Sequence, residues 1–150
     1  MVDSLSLSNV IESDFRLAAL ETEQPERLFD VFKHLTLTTG KAVYGWSQDD
    51  GLYRLGTERI FIPQTRTIGD ALSYIAASRH YGIYLLRDMG PSLQKPSIQK
   101  ALARILDRDD QVRRLVIMLD SSLEVPPELE KSVVRIRHSV QGKEVNGRGR

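Results

Sequence analysis

Two continuous apolar runs in this chain each end in side chains that can do chemistry. Residues 83–86 run into Asp88, and residues 115–119 run into Asp120 and Ser121. Short apolar runs without polar alternation are typical of strands covered on both faces of a parallel sheet. Ligands bind beyond the carboxyl ends of such strands, where a carboxylate can hold a divalent cation or accept a phosphoryl group. Asp88 is therefore the first candidate for a functional residue.

The same residues also have a structural interpretation. Aspartate in a turn commonly hydrogen-bonds the backbone that follows it, and this role would account for Asp88 without any ligand. Capping is likewise the simpler role for Asp120 and Ser121. The sequence leaves both interpretations open.

The apolar pattern predicts strands that alternate with helices. Pro25 and Pro96 suit first helical turns, because proline lacks only an N–H that would have no partner there, and Thr67 with Asp70 resembles a capping box. Such an alternation implies right-handed crossovers and an α/β three-layer sandwich with a mainly parallel sheet. We predict strands at residues 15–20, 41–46, 52–55, 59–62, 83–86, 115–119 and 134–137, and helices at 25–40, 67–82, 96–108 and 126–131.

Length and composition indicate one domain. A chain of 150 residues with 41% hydrophobic content can bury one good core. We expect a flexible N-terminal arm at residues 1–13 and a single α/β domain at residues 14–140. Residues 141–150, which are basic, glycine-containing and have little to bury, are expected to form a flexible tail.

Charge and residue usage exclude several classes of function. The formal net charge is only +1, so no global field would draw the protein to nucleic acid or to an anionic membrane. The chain has no cysteine and three separated histidines, which excludes disulfides and cysteine-ligated metals and disfavours a histidine metal site. No apolar run reaches membrane-spanning length, and the first residues lack the pattern of a signal peptide. We expect a cytoplasmic protein with no membrane partner.

Three segments carry a resemblance to a known family. They read Val-Tyr-Gly-Trp-Ser at 43–47, Tyr-Leu-Leu-Arg-Asp at 84–88, and Leu-Val-Ile-Met-Leu at 115–119 followed by Val-Pro-Pro-Glu-Leu-Glu at 125–130. In these segments the chain resembles the non-catalytic N-terminal domain of a bacterial and plastid family of AAA-type ATPases. The resemblance implies a P-loop-NTPase-like fold, and in the family an ATPase module follows this domain.

The loop that would bind phosphate in such a fold has unsuitable residues here. A phosphate cradle needs a glycine-rich loop before a helix N-terminus, whereas residues 20–26 read Leu-Glu-Thr-Glu-Gln-Pro-Glu. Carboxylates at the positive end of the helix dipole would repel a triphosphate. We therefore expect a fold without a P-loop, no catalytic residues, and neither ATP nor magnesium as a cofactor.

A nucleotide-binding domain related to ATPases is the first alternative. The resemblance places Asp88 where a Walker B aspartate holds magnesium through water, although Met89 follows where a catalytic glutamate would be expected. It places Asp120 and Ser121 where a sensor residue orients water near the phosphate. In this alternative the three side chains form a nucleotide or metal site.

A receiver-like phospho-acceptor domain is the second alternative. Glu21 and Glu23 would help to hold magnesium, and Asp88 would accept the phosphoryl group. However, the receiver pattern needs a lysine after the last strand, where this chain has Arg137 and His138.

Nucleic-acid binding is disfavoured although basic residues are present. The chain lacks the interleaved aromatic residues that stack on bases near them. The basic residues in question are Arg113, Arg114, Arg135, Arg137, Lys143, Arg148 and Arg150.

A protein-interaction or oligomerisation module remains as the leading hypothesis, with self-association or an AAA ATPase as the partner. Residues 51–66 are long for a connection in a compact α/β unit and more apolar than a solvated loop requires. We predict that this segment is exposed and that Leu52, Tyr53, Leu55 and Phe61 form the interaction surface. The alternative is a hairpin that folds back onto the core of the domain.

Overall fold

A seven-stranded sheet forms the centre of the domain in the computed structural model, which describes residues 6–136. The strands are β1 (Leu17–Glu21), β2 (Val43–Ser47), β3 (Gly51–Arg54), β4 (Ile60–Phe61), β5 (Gly82–Leu86), β6 (Arg114–Asp120) and β7 (Val133–Arg135). Their order in the sheet is β4-β3-β2-β5-β6-β1-β7. The strands from β2 to β7 in this order are parallel, and β3 and β4 add an antiparallel edge.

Helices cover both faces of this sheet. They are α1 (Leu7–Glu12), α2 (Pro25–Thr39), α3 (Ile68–Ala77), α4 (Met89–Ser92) and α5 (Pro96–Leu106). Alternate residues of each strand point to opposite faces, so Ala18 packs with α1 and α2 while Leu17 packs with α3, α4 and α5. The predicted α/β three-layer architecture with a mainly parallel sheet is confirmed.

The local helix signals act as the sequence predicts, except at the end of α3. Helix α2 begins at Pro25 and ends before Gly40, whose φ of +77° is the left-handed conformation that glycine adopts readily. The Thr67 hydroxyl accepts the Asp70 N–H at 3.0 Å and caps α3. However, α3 ends at Ala77 and does not extend to Gly82.

Buried Arg114 accounts for this early end. Its side chain is 1% exposed, and it donates to the carbonyl oxygens of Ile75 at 3.0 Å and Ser78 at 2.5 Å. The same guanidinium contacts both carboxylate oxygens of Asp110 at 2.9 and 3.0 Å, and these hydrogen bonds hold the pKa of that carboxyl well below its usual range. The last carbonyls of α3 thus have a cationic partner, so no glycine cap is needed.

Residues 7–12 form a helix that belongs to the domain, which corrects this part of the flexible arm expected over residues 1–13. Helix α1 occupies part of that stretch, and its Val10 is fully buried beside α2. Arg113 donates to the carbonyls of Val10 and Ile11 at 3.2 and 3.4 Å and to that of Phe15. Apolar burial and these hydrogen bonds hold α1 in place. Residues 1–5 and the expected tail at 141–150 lie outside the described residues.

Three of the basic residues considered for nucleic-acid binding contact the backbone of the domain itself. Arg113 and Arg114 do so as described above, and Arg135 donates to the Leu123 carbonyl at 3.2 Å. Four of these basic residues lie outside the described residues, namely Arg137, Lys143, Arg148 and Arg150.

Among residues 6–136, no helix has both the length and the apolar character needed to cross a membrane.

The hairpin of β3 and β4 differs from the exposed segment predicted at residues 51–66. Leu52, Tyr53 and Leu55 are buried, at 0%, 4% and 7% exposure, because β3 lies inside the sheet between β2 and β4. They belong to the core and cannot form the predicted interaction surface, so for them the alternative of a hairpin folded onto the core is correct. Within this hairpin, the edge strand β4 exposes its two large apolar side chains, Ile60 at 65% and Phe61 at 53%.

The segment between β6 and β7 also differs from the sequence prediction. The helix expected at residues 126–131 is replaced by tight turns, in which the N–H of Leu129 donates to the Pro126 carbonyl at 3.0 Å. This bond spans three residues and not four, so the segment winds into the 3₁₀ helix at Glu130–Ser132 and then enters β7.

Candidate functional site

A cleft opens at the carboxyl ends of β1 and β6, where the chain leaves the sheet in two directions. After β1 it continues into α2 on one face and crosses towards β2. After β6 it passes the other face, where Leu123 and Leu129 are buried, and reaches β7. Adjacent parallel strands whose connections diverge in this way form the crevice where α/β proteins bind ligands. A cavity of about 230 Å³ lies there, and Asp88, Asp120 and Ser121 all line it.

Asp120 has a structural role in this cleft. Its Oδ2 accepts the N–H of Gly90 at 2.8 Å, and its Oδ1 accepts the N–H of Ser121 at 2.7 Å. Gly90 lies in the first turn of α4, so the carboxylate caps a helix through a residue 30 positions earlier in the chain. A Cβ on residue 90 would stand 2.7 Å from Oδ2 of Asp120 and 3.0 Å from the Ser122 carbonyl oxygen, so a larger residue there would displace the capping carboxylate.

We expect Asp120→Asn to lower the free energy of unfolding by roughly 1 kcal/mol, because the amide nitrogen cannot accept and one of the two N–H groups loses its partner. Urea denaturation measures the change. The matched variant Asp88→Asn should stay within about 0.5 kcal/mol of the wild type. Equal losses in the two variants would contradict the capping role of Asp120.

Asp88 does not cap the turn that follows it. Its backbone is left-handed, with φ of 57° and ψ of 42°, which aspartate tolerates better than most residues. Its side chain is exposed and makes no hydrogen bond or ion pair to any residue in the described range 6–136. The capping interpretation is therefore wrong for Asp88 and correct for Asp120.

Arg87, the cation of the cleft, is engaged by α2. Its Nη2 lies 2.5 Å from Oε2 of Glu26, and its guanidinium lies 5.0 Å above the ring of Phe29. A hydrogen bond to its own backbone, and then the bond from Arg87, lower the pKa of Glu26. Because Arg87 is already paired, it has less to offer to a phosphate.

In the connection from β1 to α2, backbone N–H groups are hydrogen-bonded to oxygen atoms of the protein itself. These bonds were not predicted from the sequence. The N–H of Thr22 donates to the Asp120 carbonyl at 2.8 Å, that of Gln24 donates to the Thr22 hydroxyl at 3.0 Å, and that of Arg27 donates to the Gln24 carbonyl at 3.1 Å. A phosphate cradle needs such N–H groups to converge on open space. Here they bind the protein. The threonine at the first position after the strand was the sequence signal for this turn.

Glu21, at the end of β1 beside the cleft, is engaged by the protein. Glu21 accepts the N–H of Leu123 at 2.8 Å, with Arg135 4.0 Å away. Across residues 6–136 no three histidine, aspartate or glutamate side chains are grouped as metal ligands. This arrangement gives the receiver hypothesis no support.

The edge of the hairpin is the second candidate site. Phe61 lies opposite Tyr53 across the strand pair, with ring centroids 5.9 Å apart, and the guanidinium of Arg59 lies 4.9 Å above the Tyr53 ring. A cavity of about 250 Å³ beside them separates the hairpin from α2. Ile60 and Phe61, which we call the hairpin edge, border solvent on both faces of β4.

Comparison with known proteins identifies the family. The family model described as SpoVK-like AAA ATPase, N-terminal domain, matches residues 3–138. The chain belongs to this family. No curated protein and no solved structure matches it. The predicted relation to the N-terminal domain of AAA-type ATPases is thus confirmed, and in this SpoVK-like N-terminal domain the two candidate sites are the cleft and the hairpin edge.

Proposed function

We propose that this SpoVK-like N-terminal domain is a non-catalytic protein-interaction module that acts as a partner or regulator of an AAA ATPase. One observation carries the proposal: Ile60 and Phe61 are 65% and 53% exposed on an edge strand, while Leu52, Tyr53 and Leu55 of the same segment are buried. Folded proteins usually protect such edges with charge or cover them, because they pair with other chains. The hairpin edge is therefore the proposed contact site.

The contacts in the cleft support a non-catalytic role. Arg87 is paired with Glu26, the backbone donors before α2 are bonded within the protein, and carboxylates surround the opening. These features disfavour a bound triphosphate on electrostatic grounds. A cytoplasmic location is part of the proposal, since a chain without cysteine needs no oxidising compartment.

We expect titration calorimetry with magnesium and ATP to detect no binding tighter than about 1 mM, which corresponds to roughly −4 kcal/mol. The physical reason is repulsion between the phosphates and the carboxylates at the N-terminus of α2. Asp88→Asn is the control, because it removes one carboxylate of the cleft. Micromolar binding that this variant abolishes would contradict the non-catalytic proposal and favour a nucleotide site at Asp88.

The interaction itself is tested with the purified ATPase module of a SpoVK-like protein. We expect the domain to bind the module and to change its rate of ATP hydrolysis, and Phe61→Lys to weaken binding at least about tenfold, the size of effect that loss of an aromatic anchor produces. Leu37→Lys is the matched control, since Leu37 is 57% exposed at the far end of α2. No binding at all, or equal losses in the two variants, would overturn the proposed site.

A further inference from the structure

The direction of the Phe61 backbone follows from the hydrogen bonds around it. The N–H of Leu55 donates to the Val43 carbonyl at 2.9 Å, and the N–H of Ile62 donates to the Leu52 carbonyl at 2.9 Å. Leu52 and Ile62 therefore face each other across β3 and β4. Backbone groups alternate in direction along an antiparallel ladder, so Phe61, one residue before Ile62, directs its N–H and C=O away from β3. That side is the open edge of the sheet.

The sequence on either side of Phe61 limits what can pair there. Ile60 and Ile62 flank Phe61, so the order of apolar residues, Ile-Phe-Ile, is the same in both chain directions. Pro63 occupies the next outward position and has no N–H to donate. A longer foreign strand would lose hydrogen bonds at that proline. In a second copy paired antiparallel about Phe61, the paired strand also ends at its own Pro63. The two Phe61 residues at the centre still form both backbone hydrogen bonds.

We propose that two copies of this chain associate through antiparallel pairing of their β4 strands, with Phe61 opposite Phe61 at a two-fold axis. The proposal rests on the hairpin edge being an interaction site, as proposed above, and adds a second copy of the chain as an occupant of that edge, in competition with the ATPase module. The two Phe61 residues exchange their N–H···O=C bonds, and their rings meet on the face that carries Tyr53. On the other face Ile60 of each copy meets Ile62 of its partner. The interface is isologous, since the same surface is used twice.

Cysteine cross-linking tests this geometry cleanly because the natural chain has no cysteine. Residues in a hydrogen-bonded antiparallel pair have Cα atoms about 5.5 Å apart, which a disulfide spans. We expect Phe61→Cys to form a covalent dimer under mild oxidation at least about tenfold faster than Leu37→Cys, because the backbone pairing at residue 61, which this variant keeps, raises the local thiol concentration. Both positions are more than half exposed, at 53% and 57%. Circular dichroism checks that both variants are folded.

A non-covalent measurement accompanies the cross-linking. We expect sedimentation of the wild type over a concentration series to reveal a monomer–dimer equilibrium that Phe61→Lys abolishes and Leu37→Lys leaves unchanged. Equal cross-linking rates at the two positions, or a wild type that stays monomeric at every concentration, would overturn the self-pairing. If the ATPase module still binds in a Phe61-dependent way, the proposed function stands while this inference fails.

Discussion

Replacing Arg114 by methionine is expected to lower the free energy of unfolding by roughly 2–4 kcal/mol, because two carbonyl oxygens lose a buried cationic donor. The guanidinium is 1% exposed and satisfies the carbonyls of Ile75 and Ser78 together with the carboxylate of Asp110. Methionine fills part of the volume but donates no hydrogen bond, so the end of α3 and the carboxylate of Asp110 lose their common partner.

Urea denaturation at neutral pH measures this loss. Arg79→Met is the control, because Arg79 is exposed and makes no hydrogen bond or ion pair within residues 6–136, and it should change stability by less than about 0.5 kcal/mol.

The ion pair between Arg114 and Asp110 should make this loss depend on pH. The pKa of Asp110 is depressed in the folded protein, so the ion pair contributes to the free energy of unfolding above the unfolded pKa of about 4, and this contribution is lost as the pH falls through the folded value. The loss in free energy of unfolding caused by Arg114→Met should therefore be smaller in acid. A pH-independent cost would mean that the ion pair contributes little.

Introducing aspartate at two positions that face each other across the hairpin should destabilise the domain greatly in one case and only slightly in the other. Tyr53→Asp is expected to lower the free energy of unfolding by roughly 3–5 kcal/mol, because it removes a buried ring and places a carboxylate in the core. Tyr53 is 4% exposed, burial raises its pKa, and its ring packs so closely on Gly45 that a Cβ there would lie 2.7 Å from it. Phe61→Asp should cost less than about 1 kcal/mol, since the lost cross-strand contact is half solvated.

Near-ultraviolet circular dichroism and urea denaturation separate the two variants. Stability of native domains is only about 5–15 kcal/mol, so the change at Tyr53 can leave much of the protein unfolded at room temperature. If Phe61→Asp unfolds to the same extent, the hairpin edge is core and not a contact surface, and both proposals that use it fail.

Most of the fold could be predicted because its signals are local. The apolar runs at residues 83–86 and 115–119 became adjacent central strands, and α2 began and ended at the proline and glycine that indicated it. Periodicity, helix-starting proline and left-handed glycine act within one or two turns of the chain. These signals also brought Asp88, Asp120 and Ser121 to one edge of the sheet, because parallel strands end on the same side.

The sequence by itself thus determined the fold class, the main elements and the cleft, and the family relation is consistent with it. Only the tertiary structure decided which residues do what. The helix cap belongs to Asp120 and not to Asp88 because the N–H of Gly90 in α4 reaches the end of β6, the strand beside the one that precedes α4, and only the folded sheet brings these two together. In the hairpin, Tyr53 is buried and Phe61 is exposed because exposure depends on strand order. Strand β3 has a neighbour on each side, whereas β4 is the edge strand and has a neighbour on one side only.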